Sequence, residues 1–192
     1  MKPDPLLLVY KEILPGDLRK LHAASNDAPT GGGARDLRFP WREFRTVMHR
    51  IFSESKTSSQ GREIRTAKVK YKDTDGKVRH TELEYWPPTD SRPREDRVAK
   101  IHASPAIGGR LPDGDKGRVL LMFIKWSNGE AWCYWAYEGD LRASNKWAEE
   151  VRSVILDCIE LTEDKNDGRQ GGLTPVQGYY DFTNGTAYCY AE

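Results

Sequence analysis

The chain has 192 residues, enough for one domain with a substantial core, or for one domain and a tail. Hydrophobic residues make up 38% and charged residues 31%, which argues against a membrane protein and against a wholly disordered chain. The formal net charge is only +1, but local basic stretches at 35–50 and 92–110 can still meet a polyanion through one face.

The three cysteines, Cys133, Cys158 and Cys189, are odd in number and show no paired spacing. The only apolar run near the start, residues 6–10, is too short for the core of a signal peptide or for a membrane span. We therefore expect reduced thiols in a cytosolic protein.

The N-terminal third predicts a turn at Pro15–Gly16, a strand through Leu18 and Leu21, and an exposed loop at 24–33. An amphipathic helix is predicted over 41–52, followed by a polar loop at 53–61. Apolar residues recur in that helix at helical spacing: Phe44, Val47, Met48, Ile51 and Phe52.

Strands are predicted at 63–72 and 77–86, joined by a hairpin turn at 73–76 that ends in Asp-Gly. Residues 87–100 contain three prolines and dense charge, which argues against a central strand there. A near-continuous apolar strand at 119–126 is the best core candidate, and 131–137 is its predicted partner.

A second helix is predicted after Ser144, a suitable cap, with a polar linker at 162–172. Its apolar positions are Trp147, Val151, Val154, Ile155, Cys158 and Ile159. The aromatic segment 177–190 is strand-like but cannot be placed. The pattern predicts a mainly β fold with α (α+β), an antiparallel barrel or sandwich with two helices. We divide it into a domain at 1–172 and a tail at 173–192.

Two long arms, residues 24–38 and 87–100, carry groups suited to nucleic acid, and long loops in compact domains are often functional. Glycine backbone can approach a phosphate closely, arginine can read guanine, and a carboxylate can accept from the cytosine amine. Surface ion pairs within a solvated loop are the alternative. The candidate DNA-binding residues are Asn26, Thr30, Gly33, Arg35, Arg38, Arg92, Arg94, Glu95, Asp96, Arg97 and Lys100.

Both arms resemble a known family at the level of short motifs. Residues 25–40 contain Asn-Asp, then Thr-Gly-Gly, then Leu-Arg-Phe-Pro, and residues 94–100 read Arg-Glu-Asp-Arg-Val-Ala-Lys after a strand that ends in aromatics. This spacing resembles the arms of the effector-binding domain of EcoRII-type restriction endonucleases. The similarity covers about residues 20–160, with motif-level identity confined to the arms.

The resemblance implies a DNA-binding pseudobarrel, a B3-like open antiparallel barrel whose arms grip the major groove of double-stranded DNA at a CCWGG-like effector site. It also implies a non-catalytic domain without its own cofactor, a separate C-terminal nuclease domain of the same polypeptide that uses Mg²⁺, and a prokaryotic cytoplasm. Glu95 and Arg97 match the family's arm. Asp96 replaces a basic residue, Gly33 a histidine and Arg38 a tyrosine.

Residue roles follow from this resemblance and from base chemistry. Arg94, Glu95 and Arg97 are expected to read a G·C-rich site, whereas Arg35 and Lys100 are expected to position the domain on phosphates.

Rival functions stay open at this stage. A metal-dependent nuclease could use Asp113, Glu163 and Lys165, although the first lies in a turn and the others in a predicted linker. A stacking platform for single strands is a further alternative, although most of its aromatic residues are expected in the core: Trp126, Trp132, Tyr134, Trp135 and Tyr137. The histidines lie too far apart in sequence for a zinc motif: His22, His49, His80 and His102. A protein-interaction or small-ligand barrel is compatible with the composition.

Overall fold

The computed structural model describes residues 3–18, 21, 36–73, 75–90, 95–99, 101, 112, 117–143, 147–166 and 175–190. These residues form a mainly β structure with few helices, in which one mixed sheet curls into a half-barrel. The α+β expectation is confirmed at this level.

Ten strands of the described chain form the sheet. They are β1 (Pro5–Glu12), β2 (Leu37–Pro40), β3 (Glu54–Thr57), β4 (Glu63–Lys72), β5 (Val78–Trp86), β6 (Glu95–Ala99), β7 (Val119–Trp126), β8 (Ala131–Tyr137), β9 (Gln177–Asp181) and β10 (Thr186–Tyr190). The strand order is β10-β9-β1-β7-β8-β4-β5-β6-β2, and β3 pairs with β4. The described pairs are antiparallel except β4 with β8.

Within the described ranges, three helices pack on this sheet: α1 (Trp41–Ile51), α2 (Glu138–Ala143) and α3 (Glu149–Asn166). The helix α1 covers one face, where Phe44, Met48 and Ile51 join the larger core with residues of several strands. The helix α3 covers the opposite face, where Val151 and Ile155 pack in a second core. The strand β7 is buried on both faces, which explains its near-continuous apolar sequence.

Phe44 of α1 links the two ends of the strand order. Its ring centroid lies 5.4 Å from that of Phe39 in β2, 5.8 Å from that of Tyr179 in β9 and 5.7 Å from that of Tyr188 in β10. Strands at opposite ends of the path therefore meet on one aromatic side chain. The curled sheet thus brings both of its ends against α1.

Several sequence predictions are confirmed. The helix predicted at 41–52 is α1, and the strands predicted at 63–72, 77–86, 119–126 and 131–137 are β4, β5, β7 and β8. The turns between them end in Gly76 and Gly129, both with positive φ, a backbone conformation that favours glycine. Four of the predicted apolar positions of the second helix are buried: Val151, Ile155, Cys158 and Ile159.

Other predictions of elements are wrong. Residues 15–18 form a helical turn rather than a strand, with the Leu18 amide donating to the Leu14 carbonyl at 2.9 Å. The polar segment 53–61 contains β3, and α3 continues to residue 166 through part of the predicted linker. The Ser144 cap lies outside the described residues, and α3 begins at Glu149.

The segment 87–100 also differs from its prediction. Residues 95–99 form β6, which pairs with β5 on one side and with β2 on the other, so the segment does supply a central strand. Its prolines precede the strand and remove no hydrogen bond from it. The unplaced segment 177–190 forms the β9–β10 hairpin, and β9 pairs with β1.

The cysteine prediction is wrong for one pair. A disulfide joins Cys158 of α3 to Cys189 of β10, across a sequence separation of 31. Cys133 is free and buried, and burial raises the pKa of its thiol, so it stays protonated as a small core residue. Among the described helices, none is long and apolar enough to cross a membrane.

Candidate nucleic-acid interface

The described ends of the two arms lie side by side. The end of the first arm runs into β2 and the second arm contains β6, and these strands pair antiparallel. The register places Leu37 opposite Val98, and Arg38 opposite Arg97. Directly opposed residues project to the same face of a sheet. Because Leu37 and Val98 are buried in the core, Arg38 and Arg97 project to the outer face.

We call this antiparallel pair, β2 and β6, the β2–β6 ribbon. It ends the strand order on the β2 side, so among the described strands it has a neighbour only at β5. The Arg38 side chain is exposed on its outer face. Outward arginines at this end of the sheet offer several N–H donors to an anionic ligand.

Arg97 is held in place by two neighbours on the outer face. Its Nη1 donates to Asp36 Oδ2 at 2.7 Å, and its guanidinium lies 4.9 Å from the ring centroid of Trp86 in β5. The guanidinium of Arg62 lies 6.0 Å from the same ring, and its Nη2 donates to the Pro88 carbonyl at 3.3 Å. Cation–π contacts of this kind orient a guanidinium without neutralising it.

We call Arg62, Trp86 and Arg97 the Arg–Trp cluster. Glu84 lies in the same strand as Trp86 and accepts from its Nε1 at 3.1 Å, which orients the indole. The cluster therefore consists of two guanidiniums arranged around one half-buried ring, next to Arg38. Such an arrangement can contact phosphate oxygens or guanine acceptors through several fixed N–H groups.

Asp96 faces the opposite way from its neighbours in β6. Its side chain is fully buried, and Oδ2 accepts from the Tyr85 hydroxyl. Burial raises the pKa of this carboxyl to about 7, and the more distant positive charge of Arg45 opposes the rise. Although Asp96 was predicted to contact DNA, the structure places it inside the barrel, where it packs beneath β6. The alternation of a strand produces this inward direction.

The structure leaves most of the predicted contact residues without a position. Residues outside the described ranges are Asn26, Thr30, Gly33, Arg35, Arg92, Arg94 and Lys100. The backbone of Glu95 pairs with Pro40, while its side chain also lies outside the description. Of the predicted set, the structure brings Arg38 and Arg97 together.

Three residues of this surface were not among the predicted site residues: Asp36, Arg62 and Trp86. Trp86 is the last residue of a predicted strand and directly precedes the second arm. This position in the sequence could have indicated that Trp86 belongs to the site. Arg62 is far from both arms in sequence and joins the cluster only through the pairing of β4 with β5.

The structure describes some of the residues of the rival functions. Glu163 Oε1 on α3 accepts from Arg118 Nη2 at 2.9 Å, whereas Asp113 and the Lys165 side chain lie outside the description. No group of three or more potential metal ligands occurs within the described part of the chain. His49 is half-buried and His80 is exposed, and His22 and His102 are not described.

The aromatic residues proposed for single-strand stacking are half-buried. Trp135 and Tyr137 pack against the larger core, while Trp126 and Tyr134 pack against the second core. Trp132 stacks on Tyr134, with ring centroids 5.6 Å apart.

Comparisons of the chain with protein-family models, curated proteins and solved structures give no match.

Proposed function

We propose that this chain binds duplex DNA through the β2–β6 ribbon and its two arms, and that it does not itself cut the DNA. The observation that carries the proposal is the pairing of the two arms on one ribbon, with Arg38 and Arg97 opposed on its outer face. Because both arms are anchored to the same pair of strands, they can act on one ligand together.

The Arg–Trp cluster extends this surface toward β5. Its guanidiniums add positive charge next to the ribbon, and Trp86 limits their movement. The ion pair between Arg97 and Asp36 holds Arg97 ready in the absence of DNA. This carboxylate also competes with a phosphate or a base for the same guanidinium, which favours a ligand that offers several acceptors at once.

The resemblance to EcoRII-type effector domains gives the proposal its finer form. It implies a DNA-binding pseudobarrel, a CCWGG-like effector site in the major groove, and a partner nuclease domain in the same polypeptide that uses Mg²⁺. The second arm would then read base edges from Arg94, Glu95 and Arg97. The cytoplasmic location in a prokaryote belongs to the same proposal.

A binding selection over random duplexes at two salt concentrations tests this function. We expect one enriched G·C-rich sequence and an affinity that falls steeply with salt, because neutralised phosphates release counterions. Arg38→Gln and Arg97→Gln should each weaken binding to the selected duplex by about 1–3 kcal/mol. Arg79→Gln is the matched control. It removes the same charge at an exposed position that pairs with Asp73 and Asp75.

Two results would overturn the proposal. The first concerns duplex binding: it is absent, it does not depend on salt, or Arg79→Gln weakens it as much as Arg97→Gln does. The second is specific scission of plasmid DNA with Mg²⁺ that is lost when Asp113 or Glu163 is replaced, which would identify a nuclease instead.

A further inference from the structure

A small cavity of about 180 Å³ lies at one rim of the barrel, between α1, the start of β4 and the end of β5. The side chains that line it are Arg45, His49, Glu63, Ile64, Arg65, Tyr85 and Pro87. Sites that enclose drug-sized ligands measure roughly 300–1,000 Å³, so this cavity suits a single compact group.

Packing fixes the direction of the polar groups around the cavity. Arg45 and His49 are four residues apart in α1 and therefore lie on the same side of the helix. Arg65 of β4 is directly opposite Tyr85 of β5, so both project to the same face of the sheet. The imidazole of His49 packs edge-on against the Tyr85 ring, with centroids 5.7 Å apart.

The charges around the cavity are predominantly positive. Burial lowers the pKa of His49, the neighbouring charges of Arg65 and Arg45 lower it further, and the carboxylate of Glu63 opposes the change. Glu63 is the one carboxylate among the described lining residues, and it accepts from Ser55 Oγ at 3.1 Å. The Tyr85 hydroxyl donates to Asp96. Among the described lining residues, two guanidiniums and an imidazole thus face the carboxylate of Glu63, and the carboxyl of Asp96 lies behind Tyr85.

We propose that this cavity binds one phosphate group, held by Arg45 and Arg65 with His49 as an additional hydrogen-bond donor. Guanidinium groups match the geometry of phosphate oxygens and form charge-assisted hydrogen bonds with them. The phosphate can belong to a nucleic-acid backbone or be free. The nucleic-acid source rests on the proposed function, whereas free phosphate does not. Pro87 in the cavity wall is the first residue of the second arm, which leads into β6.

The imidazole signals of His49 in an NMR spectrum report directly on this site. We expect inorganic phosphate to displace the His49 signal in a saturable way and to raise its pKa, because a nearby anion favours the imidazolium form. Sodium chloride at the same ionic strength sets the baseline. The exposed His80 of β5 is an internal control, and a short duplex takes the place of phosphate in a second titration.

Variants assign the response to the cavity. Arg65→Gln should remove the saturable displacement, and Arg45→Gln, at an exposed position of α1, should do the same if Arg65→Gln fails to fold. Arg79→Gln should leave the response intact, since it removes a charge that pairs with Asp73 outside the cavity.

The outcomes separate this inference from the proposed function. The phosphate site is overturned if neither phosphate nor duplex displaces the His49 signal beyond the chloride baseline, if His80 responds equally, or if both cavity variants keep the response. Duplex binding by anisotropy with a silent His49 leaves the proposed function standing and removes the phosphate site. A response to inorganic phosphate without duplex binding keeps the site and removes the function.

Discussion

Replacing Asp96 by asparagine changes the one fully buried carboxyl beneath the β2–β6 ribbon. Its Oδ2 accepts from the Tyr85 hydroxyl, and Oδ1 has no hydrogen-bond partner among the described residues. Burial raises the pKa of this carboxyl from its usual 3.8 to about 7. Asparagine keeps the acceptor for Tyr85 and removes the charge, so the substitution isolates the effect of ionisation.

The sign of the pH dependence follows from the protonation of Asp96 in the folded and the unfolded state. The folded protein keeps a proton on Asp96 that the unfolded chain releases once the pH exceeds 3.8. The free energy of unfolding therefore falls between about pH 4 and pH 7, and the loss is complete above pH 7. At about 1.4 kcal/mol for each pH unit, the difference between 3.8 and about 7 amounts to about 4 kcal/mol.

Urea unfolding of the wild type and Asp96→Asn at pH 5 and pH 8 measures this effect. We expect the free energy of unfolding of Asp96→Asn, relative to that of the wild type, to be about 3 kcal/mol higher at pH 8 than at pH 5. The difference is smaller than the full value of about 4 kcal/mol because part of the wild-type loss has already occurred by pH 5. Tyr85→Phe should extend the pH-dependent loss of stability to higher pH in a protein that keeps Asp96, since it removes a hydrogen bond to the carboxylate and so raises the pKa of Asp96 further. An equal gap between wild type and Asp96→Asn at both pH values would refute the reasoning.

Three other substitutions test the ribbon, the closure of the sheet and the disulfide. Glu95→Ala should lose about 1–3 kcal/mol on the preferred duplex and barely change non-specific affinity in competition anisotropy, whereas uniform tightening on all duplexes would contradict base reading. Phe44→Ala should lower the free energy of unfolding by about 3–5 kcal/mol in urea, with the exposed Arg42→Ala near zero as control. Cys189→Ser should cost about 3–4 kcal/mol, for a cross-link between residues 31 apart, and this difference from the wild type should vanish in reducing buffer.

Local periodicity was enough to predict the elements that bury a regular face. The apolar spacing of 41–52 identified α1, and the apolar run at 119–126 identified β7, since each signal is repeated over several turns or residue pairs. The strand β3 gave no such signal because all four of its residues are exposed. The strand β6 was not predicted because three prolines lie in the same segment. These prolines all precede residues 95–99 and therefore do not interrupt the strand.

The composition of the two charged arms was enough to predict Arg38 and Arg97 as candidate binding residues. Only the tertiary structure decided that these two residues oppose each other, that Asp36 and Trp86 hold Arg97, and that Asp96 faces the core. The pairing of Cys158 with Cys189 was decided at the same level. Strand register and contacts between distant segments follow from how the whole sheet buries its apolar face, and a shift of one residue would turn every side chain of a strand over.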